Sequence, residues 1–298
     1  MFRVFITIPL GYILGFIYDF VQNYGWSLLL FTLLVKLILI PLSLKQQRST
    51  TKMQLVQPKL VELQKKYEND KNKLSEETMK LYKEYNISPM GGCLPLIIQL
   101  PILFGLYRVI YQPITYMLHY SEDAVNALMA ELSLAKSPQV EIAIAKAKDL
   151  INFGFLGLDL SATPNLMQLN WLWLIPVLAG VTTYLTSKVT MWMNGSDKKE
   201  KEEEAKPTRV LNPEQKPASS SEGTMKTMTL IMPFMTAWIA FSFPAALGLY
   251  WIISNVFSMG QTMLLNGYYS KKLKVEFADL EEKKAIADSK KRQRRKKG

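Results

Sequence analysis

The chain is constrained first by four long stretches that carry almost no charge. Residues 25–44, 92–117, 171–193 and 225–266 each contain one lysine or arginine and no Asp or Glu. Each reaches the roughly 20 apolar residues that carry a helix across a bilayer core. The last is too long for one crossing and is interrupted by FSFPAALG at 241–248, where Pro244 and Gly248 favour a turn. It therefore reads as two crossings joined by a tight turn, which makes five in all. The mean hydropathy of +0.04 is an average of these runs with charge-dense stretches between them.

The positive charge is unevenly placed. Residues 45–86 hold ten Lys and Arg, 194–226 hold seven and 271–298 hold twelve, whereas 119–167 hold three against six acidic residues. Lys and Arg mark the cytoplasmic side. The sequence thus predicts 45–86, the 194–226 linker and the tail inside, with 119–167 and the turn at 243–246 outside. This pattern alternates correctly across five crossings and leaves the C-terminus cytoplasmic. The single cysteine, Cys93, excludes an intramolecular disulfide and reads as a small packing residue in GGC. No cleavable signal or lipid-attachment cysteine is visible near the start.

The fold class expected is an all-α polytopic membrane protein. An N-terminal helix over 1–22 lies along the outer interface, although VFITIPLGYILGFIYDF would also suit a sixth crossing. Spans follow at 23–46, 91–118, 168–193, 225–243 and 244–267. Between the first two, Met53, Val56, Leu60, Leu63 and Tyr67 form an apolar stripe at helical spacing. Leu74, Leu81 and Tyr85 continue it beyond the polar break ENDKN at 68–72. Residues 47–90 are therefore expected to be an antiparallel helical hairpin, either a solvated spacer or a docking element, with Pro58 kinking its first helix or forcing its start. Residues 119–167 form the extracytoplasmic segment. Residues 194–224 contain almost nothing to bury and read as a disordered linker. The basic tail, 268–298, suits solvent, anionic lipid or ribosomal RNA equally.

Enzyme chemistry finds little support. The chain has one histidine, His119, no acidic residue in any span and no Gly-rich phosphate loop. A Ser–Lys dyad has no serine forced next to its lysine. No metal or other cofactor is implied. The absence of span carboxylates makes Lys36, in LLLFTLLVKLILIPLSL at 28–44, the most informative residue. It lies nine residues from Lys45, which is ~13 Å along a helix and close to the middle of a ~30 Å core. About a dozen Leu, Ile, Phe and Val outweigh the roughly +3 kcal/mol that a central lysine costs on insertion. The span inserts, but the charge finds no acid to pair with and still needs water. A hydrated cavity lined by Gln99, Thr182, Thr183, Ser187, Thr227, Thr229, Ser254, Asn255 and Gln261 accounts for it better than snorkelling does. Arg108, nearer the outer end of its span, reads as a snorkelling cation.

The block from VKLILIPLSLKQQRS at 35–49 through GGCLPLIIQLPILFGLYRVI at 91–110 resembles the YidC/Oxa/Alb membrane protein insertases. LGLDLSATP at 156–164, IPVLAGVTTYLTSK at 175–188 and FSFPAALGLYWIISNVFSMGQ at 241–261 extend the resemblance in the same order. It covers nearly the whole chain and is closest in form to the short members of Gram-positive bacteria. The resemblance implies five spans around a hydrophilic groove open to cytoplasm and lipid, and a function of inserting and helping to fold integral membrane proteins, alone or beside the Sec translocon. The cation of the first span receives the polar or acidic translocated part of a nascent client. The implied groove residues are Lys36, Gln99, Thr183, Tyr250, Trp251 and Asn255, with no catalytic residue, metal or cofactor. The hairpin and basic tail would receive the ribosome. One departure stands out: the family usually carries arginine where this chain has Lys36, which keeps the charge but loses the planar fork. The competing readings are a transporter or channel, for which neither inverted repeats nor a midplane acid is found, and an assembly factor that only chaperones helix packing.

Overall fold

A computed structural model describes residues 3–88, 94–165, 167, 170–193 and 221–297. Its elements are helical apart from one small hairpin. A π-helical turn, Arg3–Thr7, leads into α1 (Ile8–Val21). It is followed by α2 (Tyr24–Ile38), α3 (Ile40–Lys66), α4 (Lys71–Glu84), α5 (Leu94–Tyr111) and the single turn α6 (Pro113–Tyr116). Then come α7 (Glu122–Glu131), α8 (Val140–Ala147), strands β1 (Gly154–Phe155) and β2 (Leu158–Asp159), a 3₁₀ turn at Trp171–Trp173, α9 (Leu174–Met193), α10 (Ser221–Ala240) and α11 (Ala245–Lys297). Chain contacts divide these into two units. The first is Met1–Ile40, Pro95–Thr190 and Ser221–Met259; the second is Pro41–Leu94, Met191–Ser220 and Gly260–Gly298.

The first unit is built around an apolar core. Leu14 and Tyr18 of α1, Tyr24, Leu28 and Phe31 of α2, Leu106 and Val109 of α5, and Leu247 and Tyr250 of α11 are all buried in it. Helix α1 lies against α2 and α6 through its small residues. A Cβ on Gly15 would stand 2.6 Å from the Met117 carbonyl oxygen, and one on Gly11 would meet the Tyr116 carbonyl. Tyr12, Phe16 and Phe20 face outward on the opposite side. Between α6 and α9 the chain packs α7, α8 and the β1–β2 hairpin onto the same core. The buried Glu141 of α8 accepts hydrogen bonds from the Thr115 amide (2.9 Å) and hydroxyl (2.7 Å), tying α8 to α6. Burial raises the Glu141 carboxyl above its ordinary pKa, against the opposing effect of the Thr115 bonds.

Several boundaries differ from those read in the sequence. Within 23–46, α2 ends at Ile38, where the Leu39 amide still reaches the Val35 carbonyl, and a new helix starts at Ile40. Pro41 has no amide hydrogen for the Leu37 carbonyl and its ring crowds that carbonyl, which accounts for the break. Pro58 lies inside α3, which starts well before it and runs through it, so it does not force the helix start. Pro113 similarly ends α5 and opens α6. Only one described helix, Trp171–Thr190, is by itself long and apolar enough to cross a membrane. Cys93, the GGC motif around it and residues 194–220 of the expected linker lie outside the described residues; from Ser221 the chain is helical, ahead of the expected start at 225. The segment 119–167 is not featureless, since it holds α7, α8 and the hairpin.

In the second unit, α3 and α4 pack Val56 and Leu60 with Leu81 and Tyr85 around a turn whose Asp70 caps α4 by accepting from the Lys73 amide. The end of α11 completes this unit. Phe277 stacks on Tyr85 with ring centroids 5.0 Å apart, Lys59 pairs with Glu281 at 2.6 Å, and Arg48 and Lys52 reach Glu276. Partial burial pushes the Lys59 ammonium down, but the bonds to Glu281 and Tyr85 outweigh it and hold its pKa above the ordinary value. The tail around Phe277 is therefore a packed helix rather than a solvated strand of charge.

Candidate functional site around Lys36

Helix α2 places Lys36 one turn beyond Thr32, whose buried hydroxyl is satisfied by the Leu28 carbonyl of its own helix at 2.6 Å. Lys36 is half-buried, and its ammonium donates to the Ser258 hydroxyl of α11 at 3.2 Å. Among the described residues it has no ion pair and no second hydrogen bond. An ammonium has three donors, so two remain directed at whatever occupies the space beside it.

The other residues singled out in the sequence fall into two bonded pairs. Gln99 of α5 donates to the hydroxyl of Tyr250 at 2.6 Å, and Tyr250 is itself almost fully buried in the core. Asn255 donates to Thr183 at 2.8 Å and to Thr182 at 3.3 Å, while its own carbonyl accepts from Thr186 at 3.3 Å. Trp251 packs on the apolar core and makes no part of either pair. Helix α11 links all of these. Tyr250, Ser254 and Ser258 recur every four residues, a stripe on one face, and Asn255 lies ~60° around from Ser258 at ~100° per residue.

Two features were missed in the sequence. Ser258, the partner of Lys36, was not named, although its four-residue spacing from Ser254 and Tyr250 was a usable signal. Thr186 was missed likewise. Thr182, Thr183 and Ser187 each donate to a carbonyl one turn earlier in α9. Such back-bonded hydroxyls need no water to be satisfied. Thr227 and Thr229 lie in the first half of α10, where the side chains of residues 221–230 are not among those described. Arg108 is exposed on α5.

The polar residues are thus drawn together by two interhelical ties and one lysine with spare donors, on helices otherwise lined by Leu, Ile, Val and Phe. No group of three or more metal-ligating side chains exists among the described residues.

Comparison with known proteins gives the family. A model of the 60Kd inner membrane protein family matches residues 16–272. A protein of Clostridium perfringens named membrane protein insertase YidC is 34% identical over 252 residues, covering 84% of this chain and 81% of the relative. A YidC 2 insertase of Listeria innocua is 30% identical over 288 residues, 94% of this chain and 78% of that one. A YidC of Syntrophus aciditrophicus is 32% identical over 261 residues, yet this chain spans only 36% of its length. In three dimensions the chain is similar to a crystal structure of an active YidC insertase with its first transmembrane domain resolved. The TM-score is 0.52 at 24% identity, over 85% of this chain and 44% of that one. The chain therefore belongs to the 60Kd inner membrane protein family, the family of the YidC insertases.

Proposed function

We propose that this chain is a membrane protein insertase that lowers the barrier to moving a client's polar segment into and across the bilayer, and that Lys36 is the group that receives that segment. The observation that carries the reading is the two spare donors of Lys36 on a helix with no carboxylate, beside polar ties on α5, α9 and α11. An acidic or polar client segment supplies the missing acceptors, and a polar lining shortens the apolar path over which it must be desolvated. Gln99, Thr183, Tyr250 and Asn255 shape this groove, and Trp251 offers an apolar surface to the client's own span. No covalent step, metal or cofactor is required.

The finer reading is that five spans surround the groove, with the C-terminus, the α3–α4 hairpin and the tail cytoplasmic. The charge asymmetry of the loops supports it. Nascent membrane proteins with short polar or acidic translocated segments are the clients, received from ribosomes at the basic second unit and handled alone or with the Sec translocon in the bacterial cell membrane. Lysine supplies field and hydrogen bonds without the planar fork of arginine.

The test is reconstitution. The purified chain in liposomes is offered a single-span client with an acidic N-terminal segment. Lys36→Arg is expected to retain insertion. Lys36→Ala should lower its rate about tenfold, the size of one lost charge-assisted hydrogen bond, and Lys36→Glu should lower it further. Wild-type insertion by Lys36→Ala, with the Lys36–Ser258 tie broken, would leave Lys36 a structural residue only.

A further inference from the structure

The β1–β2 hairpin presents an apolar tip that its own geometry argues against. Its register pairs Gly154 with Asp159 and Phe155 with Leu158, leaving Leu156 and Gly157 as a two-residue turn with φ of 50° and 80°. Positive φ at both positions favours Asn-Gly, and a leucine there is strained. Leu156 is nonetheless 79% exposed. It cannot fold back, because the hairpin is seated firmly on the start of α2. Phe155 lies where a Cβ on Gly25 would stand, Asn23 donates to the Gly154 carbonyl at 2.7 Å, and the Tyr24 amide donates to the Asn152 carbonyl at 2.9 Å. At its base Lys146 pairs with Asp159 at 2.6 Å. Two tryptophans stand beside the hairpin, each at the start of an apolar helix. Trp26 packs edge-on against Phe155 and is 48% exposed, and Trp171 is 82% exposed in the turn beside β2.

We propose that Leu156, Trp26 and Trp171 form an anchor that docks on a lipid surface, the outer interfacial layer of the bilayer. An aliphatic side chain held out on a rigid hairpin, between two tryptophans that mark the beginnings of apolar helices, has the chemistry of that layer. There, indole N–H groups meet headgroups and the apolar parts meet the upper acyl chains. The anchor fixes the depth of the α2 start, and through it the depth of Lys36 three turns further on. The inference rests on the topology proposed above, with residues 119–167 outside.

The test uses the full chain with Cys93→Ser and a single new cysteine at Leu156, Trp171 or Lys136, carrying an environment-sensitive fluorophore in liposomes. Lys136 is exposed between α7 and α8 and reports the side of the membrane. The expected result at Leu156→Cys and at Trp171→Cys is blue-shifted emission, quenched more by lipids with a headgroup nitroxide than by lipids with one near the acyl terminus, and resistant to aqueous iodide. Lys136→Cys should be quenched by external iodide and label with an impermeant maleimide from outside. If the two anchor positions behave like Lys136→Cys, the tip faces water or another protein and the proposal is overturned while the topology stands. If Lys136→Cys labels only after permeabilisation, the topology fails and the anchor with it.

Discussion

A lysine at the centre of an inserting helix costs roughly 2.5–3.5 kcal/mol, and one bond to a serine hydroxyl returns only about 1.5–3 kcal/mol. The Lys36–Ser258 contact therefore lowers the cost of the charge without cancelling it, and the two remaining donors are what a client or water must meet. The neighbouring polar residues behave differently. Tyr250 is buried and receives the Gln99 amide, so Tyr250→Phe leaves that amide without its acceptor and should cost about 0.5–1.5 kcal/mol. The check is the thermal midpoint in detergent. An unchanged midpoint for Tyr250→Phe would mean that Gln99 finds water instead. At this scale the lysine was legible because a lone cation among apolar residues is conspicuous. Its partner Ser258 stands out only through its four-residue spacing from Ser254 and Tyr250, since a serine in a helix carries no such contrast. The bonds of the Thr182, Thr183 and Ser187 hydroxyls back to α9 are invisible in a list of polar residues.

Among the elements, the small-residue face of α1 and the proline breaks set the architecture. Gly15 lets α1 close on the chain at Met117, so Gly15→Ala forces a shift of backbone and should destabilise by about 1–3 kcal/mol. At Gly260 in α11 an added Cβ meets nothing, and Gly260→Ala is expected to be neutral or to stabilise by up to ~1 kcal/mol. Unfolding midpoints of the two variants should thus move in different directions, and a parallel loss would contradict the packing described for α1. Helix α8 gives a pH dependence. The folded-state pKa of Glu141 is raised by burial, so its stabilising contribution is complete below the unfolded-state value and is lost as pH rises through the folded one. Mild acidification should raise the midpoint of the wild type. Glu141→Gln, which retains an acceptor for Thr115, should flatten that dependence; a slope that persists in Glu141→Gln would place its origin elsewhere. The hairpin stripe through Val56, Leu60, Leu81 and Tyr85 was legible from its spacing. The break at Ile40 was written in Pro41 but overshadowed by the length of the apolar run. The β1–β2 hairpin was hidden because its turn uses Leu-Gly, where the recognisable signal is Asn-Gly. The packing of Phe277 was hidden by the charges around it.

Across the whole molecule, two properties of the sequence reach furthest: the alternation of charge-free and basic stretches, and the absence of acid from every apolar stretch. The first supports five spans with the basic second unit on the cytoplasmic side. The second leaves Lys36 without a counterion among the described residues, and the function proposed above makes the client the source of one. Family membership is shared with a relative matched over most of its length and with one of which this chain spans about a third. The most direct test of the central claim is therefore a double-mutant cycle between chain and client. In liposomes, insertion rates are measured for wild type and Lys36→Ala, each with an acidic client segment and with the same segment carrying amides in place of its acids. The account predicts that removing the client's acids slows wild type about tenfold and hardly affects Lys36→Ala, a coupling between the two sites. Equal slowing in both backgrounds would show that the lysine and the client's acids act independently, and would contradict the account.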